Sequence, residues 1–302
     1  MADEKRGLIL GVAAYLMWGL FPLYWPLLEP AGAVEILAHR VLWSLLFMGT
    51  VVLALHKRAS LYALWRVPRT RYFLLLAAIV IAVNWTSYIW GVNHGHVVET
   101  SLGYFVTPLV TVLMGVLILG ERMRPLQWLA LGVAAAAVVV LAVDYGRPPW
   151  VALLLAFSFS TYGLAKKQAN AGAVESLTFE TLALAPLALG YLALLTAQGD
   201  SHFGTEGAGH VLLLVGTGVI TVIPLLCFGG SATRLPLVTL GLLQYLAPIL
   251  QFGIGVWLYD ETMPAARWFG FTLVWASLAV FTAEAIAHRR RQLRLVVEAS
   301  AI

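Results

Sequence analysis

Long apolar stretches recur along the chain and are separated by short polar segments. A helix of about 17 to 22 residues, rising 1.5 Å per residue, crosses a hydrocarbon core of about 30 Å. Only helices and closed barrels satisfy their own backbone hydrogen bonds in lipid, and runs such as Ala134–Val143 lack the alternation of barrel strands. The pattern therefore predicts an all-α integral membrane protein. Its ten predicted transmembrane helices are Gly7–Leu27, Glu35–Leu55, Tyr72–Val92, Leu102–Leu119, Leu126–Val143, Trp150–Leu164, Leu177–Thr196, Val211–Ser231, Val238–Leu258 and Trp268–Ala287.

Composition agrees with this pattern. Of the 302 residues, 61% are hydrophobic and 11% are charged, whereas an ordinary soluble domain has about 25% charged residues. Cys227 is the only cysteine, so an intrachain disulfide and a cysteine metal cluster are excluded. The sequence contains no Walker-type phosphate loop. We therefore expect no cofactor, no bound metal and no ATP-driven activity.

The positive charges indicate the orientation. When successive loops are assigned to alternate sides, 16 of the 19 Lys and Arg residues fall on one side. Arg147 and Arg267 fall on the other side, and Arg40 lies within a helix. The positive-inside rule then places both termini in the cytoplasm, in a bacterial inner membrane. Because the basic residues cluster at membrane edges, they indicate topology and give no reason to expect a nucleic-acid partner.

The chain contains an internal repeat. An offset of 140 residues superposes Glu35 on Glu175, and five further identical pairs follow without a gap. With five helices in each half, the second half enters the membrane from the opposite side. The sequence thus predicts two inverted five-helix repeats, at 1–145 and 146–290, followed by a cytoplasmic tail at 291–302. Inverted repeats are typical of secondary transporters, although duplicated bundles also occur as scaffolds and enzymes. The five further pairs are Pro108 with Pro248, Gly115 with Gly255, Glu121 with Glu261, Met123 with Met263, and Trp128 with Trp268.

Several sequence blocks resemble the RarD group of the EamA family, within the drug/metabolite transporter superfamily. The blocks are His39–Ser44, Asn84–Trp85 with Ile89–Trp90 and Val92–Asn93, Glu99–Phe105 with Pro108–Leu109, Pro224–Phe228 with Ala232–Leu235, and Leu240–Gly241 with Gln244–Tyr245 and Pro248. They occur in the same order, and the resemblance extends from about Gly7 to Arg291. It implies a ten-helix, inverted five-plus-five fold and a carrier, or permease, for small organic molecules. RarD-like proteins are commonly described as chloramphenicol-related permeases, and the resemblance implies no established binding residues.

Ionisable residues inside predicted helices are candidates for a binding site, because each costs about 2.5 to 3.5 kcal/mol to insert at a helix centre. Arg40 could bind an anionic substrate group, or it could pair with Glu35 or Glu180 and lock the halves together. His39 shares a helical face with Glu35. Glu180 occupies the repeat position equivalent to Arg40, so the two could form a charge pair. Glu180 is also the candidate for a proton-coupling carboxylate.

Amides and aromatic rings near the middle of other helices are further candidates. They could hold a flat organic molecule by stacking and hydrogen bonding, or they could serve packing alone. A proline at matching positions of the two halves predicts paired helix kinks, which often mark the binding region in such folds. The predicted substrate-binding residues here are Asn84, Trp85, Tyr88, Asn93, Tyr104, Gln244 and Tyr245, and the predicted kinks are at Pro108 and Pro248.

Three classes of function are compatible with a helical membrane bundle. A secondary carrier working by alternating access accounts for the repeat and the intramembrane polar residues. A membrane-embedded enzyme would need a nucleophile with its base, or paired carboxylates, at membrane depth. A channel or sensor would need rings of like charge or exposed filter carbonyls. The sequence favours the non-enzymatic carrier, with a small-molecule substrate, the lipid bilayer, and a coupling ion or proton as partners. A homodimer is left open.

Overall fold

The computed structural model describes residues 2–120, 123–232, 234–235, 239 and 242–300. Within these residues the chain is helical and has no β-strand. Two short 3₁₀ turns, Phe21–Leu23 and Trp25–Leu28, follow the first helix, and a π-helical turn, Ile254–Leu258, follows the tenth. The helices are α1 (Ala2–Gly19), α2 (Ala33–Ala54), α3 (Arg58–Arg66), α4 (Pro68–Asn93), α5 (Val97–Leu119), α6 (Pro125–Tyr145), α7 (Trp150–Ala169), α8 (Ala173–Gln198), α9 (Gly207–Ala232), α10 (Leu246–Gly253) and α11 (Ala265–Ser300).

Proline and glycine set many of the helix boundaries. Pro68 and Pro125 are the first residues of α4 and α6, where the missing proline N–H costs nothing. Gly120 and Gly146 follow α5 and α6 in the left-handed conformation that ends a helix. Most helices begin earlier and end later than predicted, because polar residues at their ends still satisfy helical hydrogen bonds.

The first predicted span, Gly7–Leu27, is wrong at its end. Helix α1 stops at Gly19, and the chain continues as the two 3₁₀ turns. Pro22 and Pro26 lie in these turns, where each lacks the N–H that an α-helix would need. This segment packs its aromatic rings inward, with Trp25 fully buried.

Eight described helices are long and apolar enough to cross a membrane: α1, α2, α4, α5, α6, α8, α9 and α11. Helix α7 is long enough but more polar, since it contains Ser158, Ser160, Lys166 and Lys167. Of the predicted ninth span, Val238 and residues 240–241 lie outside the described residues, and a shorter apolar helix covers Leu246–Leu258. The integral membrane fold is therefore established, whereas the count of ten spans remains a prediction.

The packing of the helices relates the two halves of the chain. Helix α4 packs on α7, and in the same way α9 packs on α1; α5 packs on α7, and α10 on α1. Helices α6 and α11 pack together, as do α2 and α8. The 140-residue offset makes α1 equivalent to α7, α2 to α8, α4 to α9, α5 to α10 and α6 to α11. When each helix is replaced by its equivalent, the same set of packed pairs results. The arrangement agrees with the predicted repeat, whose exact boundaries remain predictions.

Helices α2 and α8 run antiparallel. Val41 of α2 lies in one hydrophobic cluster with Ala188 of α8, and Met48 lies in another with Leu177. As the sequence of α2 advances from 41 to 48, its neighbours in α8 fall from 188 to 177. These two equivalent helices therefore enter the bundle from opposite ends.

Two further elements differ from the sequence-based expectation. Helix α3, between α2 and α4, has no buried residue and contains Arg58 and Arg66, which is typical of a helix lying at the membrane interface. Helix α11 continues to Ser300, so the predicted tail at 291–302 begins within a helix.

The two predicted proline kinks differ from each other. Pro108 lies inside α5, as predicted. Pro248 lies in the first turn of α10, and the helical run is interrupted just before it, at Gln244 and Tyr245. A kink caused by Pro248 stays a prediction. A proline is tolerated in a first turn because its N–H would have no helical partner. Pro186 and Pro224 also lie inside helices, α8 and α9.

Candidate functional site

Arg40 is the centre of the candidate site. Its side chain comes from the outward-facing third of α2 in the predicted topology and is buried, with 3% exposure. The guanidinium lies over the ring of Trp85, 3.8 Å from the centroid, and its Nε donates a hydrogen bond of 2.7 Å to Thr221 Oγ1. The two Nη atoms have no hydrogen-bond partner and no carboxylate partner among the described residues. A cation inside the bundle is thus covered by aromatic rings, and neither of its Nη groups is used within the described residues.

The 3₁₀ turns complete the aromatic surroundings of Arg40. The Arg40 guanidinium carbon lies 5.2 Å from the centroid of Trp25 and 5.7 Å from that of Phe21. Neither residue was a candidate in the sequence, because the segment was predicted to belong to a regular helix. The arrangement provides flat apolar surfaces around one positive charge, which favours recognition of an organic anion.

Asn84, Tyr88 and Tyr104 lie beside this centre but differ in what they contact. Asn84 Nδ2 donates to Leu155 O at 3.1 Å and to Ser158 Oγ at 3.0 Å, and its Oδ1 accepts from Tyr104 OH at 3.2 Å. Asn84 therefore ties α4 to α7 and α5. The ring of Tyr88 packs edge-to-face on Tyr104 at 5.6 Å, and its buried hydroxyl has no partner.

Glu35 and His39 share a face of α2 as predicted but serve different neighbours. The Glu35 carboxylate accepts from the His202 backbone N–H and contacts His202 Nδ1, each at 2.8 Å. The His39 ring stacks on Phe203 with a centroid distance of 4.8 Å. His39 also lines a cavity between α2 and α8. It therefore does not join the group around Arg40.

The predicted pair of Arg40 with Glu180, or with Glu35, does not form. Glu180 Oε1 lies 2.7 Å from Lys166 Nζ, and its Oε2 accepts from Tyr162 OH at 3.1 Å. The reason is the antiparallel packing: Leu177, three residues before Glu180, lies in one cluster with Met48, and Met48 is eight residues from Arg40, about 12 Å along the helix. In an inverted repeat, two equivalent residues lie at opposite depths in the membrane unless both lie at the midplane.

The remaining predicted residues lie elsewhere. Asn93 is the last residue of α4, and its buried side-chain oxygen has no partner. Gln244 and Tyr245 form the turn before α10, where Tyr245 packs against the core of α5, α6 and α11. Sequence reasoning missed Lys166, whose position near the end of an apolar helix was an available signal, and Thr221, for which the sequence holds no signal.

A second polar group lies at the end of the bundle where α4, α6 and α10 finish. Arg147 Nη2 lies 2.7 Å from Glu99 Oε2, and Arg267 Nε lies 2.9 Å from Asp144 Oδ2. The Glu261 carboxylate accepts the Val97 N–H and, at 3.0 Å, the Val98 N–H, which are free at the start of α5. We call Glu99, Asp144, Arg147, Glu261 and Arg267 the end cluster. All of them except Asp144 line a cavity of about 330 Å³, together with Gly95, His96, Tyr145 and Thr262.

Burial and hydrogen bonding shift the pKa of two groups in the end cluster. Burial raises the pKa of Glu261 from 4.5 to about 7, against the opposing effect of the two backbone N–H groups. The hydrogen bond to Glu99 raises the pKa of Arg147. Nearby, burial lowers the pKa of His96, whose ring stacks on Trp90 beside that of His94. In the described part of the chain, no group of three His, Cys, Asp or Glu residues is placed to hold a metal ion.

Comparison with known proteins gives consistent results. The EamA-like transporter family matches residues 5–143. Protein RarD of Streptomyces exfoliatus is 56% identical over 99% of this chain and 95% of its own length. An uncharacterized transporter of Bacillus subtilis, YojE, is 44% identical over 96% of this chain and 97% of its own length. A solved crystal structure with 21% identity covers 91% of this chain and 96% of its own, with a TM-score of 0.59, and shows a shared fold.

Proposed function

The chain belongs to the RarD group of the EamA-like transporter family and is a multi-pass membrane protein, and on this premise we propose that it is a secondary carrier. The proposed carrier moves a small organic molecule across the bacterial inner membrane by alternating access. Two of its relatives are named as uncharacterized transporters, which supports transport over enzymatic activity. The predicted orientation, with both termini in the cytoplasm, is part of this proposal.

The observation that carries the proposal is the incomplete pairing of Arg40. Removing a charge from water is costly unless a counter-charge and hydrogen bonds replace the lost hydration. Thr221 and the aromatic rings replace part of the lost hydration of Arg40. The two Nη groups, however, have no partner among the described residues. A carboxylate or similar planar anion would complete the pairing with two parallel hydrogen bonds.

The proposed substrate is therefore an organic anion with a flat or apolar body. Its anionic group would bind Arg40, and its body would lie against Trp85 and the neighbouring rings of Tyr88 and Tyr104. In this proposal Asn84 holds α4, α5 and α7 together and does not contact the substrate. Chloramphenicol, implied by the resemblance to RarD-like permeases, is uncharged and serves as a test of the need for an anion.

We place the gate of one side at the end cluster. Glu261 and Arg267 belong to the second half of the chain, and they bind Val97, Val98 and Asp144 of the first half. Alternating access requires one half to move against the other, so these contacts must break when this end opens. The positive-inside rule puts this end on the periplasmic side.

We propose that the coupling ion is a proton and that Glu261 binds it. Glu261 lies on the contact between the halves, whereas Glu180 is held by Lys166 and Tyr162 within the second half. A proton-coupling role for Glu180 would require that buried ion pair to separate in every cycle. A proton-coupling role for Glu261 requires only that its carboxyl group gain or lose a proton when the end cluster opens.

Flux measurements test the carrier class. Metabolite profiling of cells that lack or overproduce the protein supplies candidate compounds, which are then tested with purified protein in liposomes. A carrier predicts uptake that saturates with concentration and counterflow of labelled substrate. Flux equal to that of empty liposomes across the panel would contradict the proposal, and single-channel conductance in planar bilayers would favour a channel.

Cysteine labelling tests the topology separately. Single cysteines at Glu29, before α2, and at Ala173, at the start of α8, lie on opposite sides of the membrane if the halves are inverted. A Cys227→Ser background removes the native thiol. A membrane-impermeant maleimide added to intact spheroplasts should label only the cysteine at position 29. Labelling of both positions would contradict the inverted arrangement.

A further inference from the structure

A cavity of about 730 Å³ lies between α2 and α8, away from the group around Arg40. Its walls are mainly apolar and include Leu42, Leu46, Leu189 and Leu192. Leu46 and Leu189 are exposed by 60% and 57%, although they lie on helices that are long and apolar enough to span the membrane. The cavity therefore opens toward the region occupied by lipid.

Two polar groups in the cavity wall lack partners. His39 is buried, with 4% exposure, and neither of its ring nitrogens makes a hydrogen bond within the described residues. Trp43 also lines the cavity, and its buried Nε1 has no partner. The two residues are four apart and share a face of α2, with a separation of about 6 Å along the helix axis. An unpaired N–H in an apolar setting is costly, which indicates a missing hydrogen-bond acceptor.

The lining changes from polar to apolar along the cavity. The polar residues Thr196, Ser201 and Thr205 lie at the end formed by the loop after α8, on the same side as His39. Leu45, Leu46 and Ala185 lie at the opposite end, deeper along both helices. No Asp, Glu, Lys or Arg belongs to the lining. The cavity is thus suited to a long apolar chain that ends in uncharged oxygen acceptors.

From these observations we infer that the cavity binds one acyl chain of a membrane phospholipid, whose ester carbonyls accept hydrogen bonds from His39 and Trp43. The polar end of the cavity lies near the end of α2 and α8, where the ester groups of a bilayer lie, and the apolar end points toward the bilayer centre. The stretch of α8 from Ala185 to Thr196 extends about 16 Å, which suits an extended acyl chain. This bound lipid would contact the antiparallel helix pair at which the two halves meet, and the inference does not depend on the transported substrate.

Photo-crosslinking in proteoliposomes tests this inference. The probe is a phosphatidylethanolamine with a diazirine in one acyl chain, and the adducts are mapped by peptide mass spectrometry. We expect adducts concentrated on residues 42–46 and 185–192. The reference is the lipid-exposed stretch of α6 that contains Val139 and Val143, which are 63% and 77% exposed. Adducts on α2 and α8 no more frequent than on α6 would overturn the inference.

Variants separate a built site from general lipid contact. The combination of His39→Phe and Trp43→Phe keeps an aromatic ring at each position but removes both ring N–H groups, and should lower the enrichment about 30-fold, the value of roughly two hydrogen bonds. Trp257→Phe is the matched control, because Trp257 is 75% exposed and lies outside the cavity. Unchanged enrichment in the double variant would contradict the role of His39 and Trp43. Loss of the adducts on addition of a transported compound would assign the cavity to the substrate and overturn the lipid site.

Discussion

The guanidinium of Arg40 lies 3.8 Å from the ring centroid of Trp85, and this contact joins α2 to α4 inside the bundle. A cation–π contact of a desolvated arginine contributes about 2 kcal/mol, and it requires no carboxylate at membrane depth. The pairing leaves the Nη edge of the guanidinium available. It explains how a buried cation is retained while its Nη atoms stay available to the anionic substrate that we propose.

Shortening Trp85 should weaken this contact. We expect Trp85→Ala to lower stability by about 2 kcal/mol or more, through the lost cation–π contact and the cavity left behind, while Trp85→Phe retains part of both. Thermal unfolding of the purified protein in detergent measures the difference. Trp257→Phe, at an exposed indole, provides the control and should have little effect. Equal loss of stability for Trp85→Phe and Trp85→Ala would argue against the ring–cation contact.

Thr221 should matter through its hydroxyl. Its Oγ1 accepts from Arg40 Nε and donates to Thr217 O at 2.7 Å. Thr221→Val keeps the shape but removes both hydrogen bonds, and we expect a loss of about 2 kcal/mol, because one partner is charged. Thr221→Ser retains the hydroxyl and should stay close to wild type. A Thr221→Val protein as stable as wild type would show that this hydrogen bond contributes little.

Asn84 should be a structural residue, contrary to the expectation from sequence. Its amide bonds to Leu155 O, Ser158 and Tyr104, so no polar atom remains for a substrate. We expect Asn84→Leu to lower stability by roughly 1–2 kcal/mol and to leave the KM for transport unchanged. A large increase in KM without loss of stability would place Asn84 in the binding site.

Conversely, the Lys166–Glu180 pair should respond to single and double substitutions differently. Glu180 is 1% exposed and the Lys166 side chain is 24% exposed. Removing one partner leaves a charge with little water around it, so Glu180→Leu alone should cost about 3 kcal/mol, whereas Lys166→Met with Glu180→Leu should recover most of that loss. A double-mutant cycle in thermal unfolding measures the coupling. Additive losses would contradict a tight pair.

The end cluster should respond to pH through Glu261. Its pKa is about 7 in this conformation against 4.5 ordinarily, so this conformation binds the proton more tightly than a state in which the carboxyl is in water. By linkage, the closed end is stabilised at low pH and loses at most about 3 kcal/mol of that stabilisation as pH rises from 4.5 through 7. Opening should therefore increase with pH in wild type and become independent of pH in Glu261→Gln.

Maleimide labelling of a buried position measures this opening. Val97 is fully buried beside Glu261, so a Val97→Cys variant in a Cys227→Ser background reacts only when the end opens. The labelling rate of Val97→Cys is divided by the labelling rate of Glu206→Cys, whose thiol is exposed. The ratio corrects for the increase in thiol ionisation with pH. A ratio that does not change between pH 5 and pH 8, or that changes equally in Glu261→Gln, would remove Glu261 from the gate.

The sequence predicted the helices that are determined by the apolar pattern of their own residues. Apolar runs of membrane-spanning length predicted α2, α4, α5, α6, α8 and α9 to within about five residues at each end, and the repeat predicted that equivalent helices enter from opposite ends. The start of α11 was predicted equally well, but its end at Ser300 lies well past the predicted Ala287, because the polar segment after Ala287 continues the helix. The end of α1 was wrong, because Pro22 and Pro26 outweigh an apolar pattern that continues past Gly19. Helix α3 was missed because its basic residues, between two apolar stretches, are equally typical of a cytoplasmic loop.

For the candidate site, the sequence predicted which residues are buried but not their partners. Arg40, Trp85, Tyr88 and Tyr104 come together as members of one neighbourhood, because each faces inward from its helix. The predicted Arg40–Glu180 pair was wrong, since inverted symmetry brings two equivalent residues to the same depth only at the membrane midplane. The residues that cover Arg40, namely Trp25, Phe21 and Thr221, come from a segment and a helix whose packing no local pattern reveals.

The most direct test of the central claim compares an aromatic carboxylate found by metabolite profiling with its uncharged primary amide in liposome counterflow, using wild-type protein and Arg40→Gln. The account predicts that wild type exchanges the carboxylate at least about tenfold faster than the amide, as expected for a charge-assisted pair of hydrogen bonds. Arg40→Gln, shown to be folded by its unfolding transition, should lose this preference. Equal exchange of the acid and the amide by wild type, or an undiminished preference for the acid in Arg40→Gln, would contradict it.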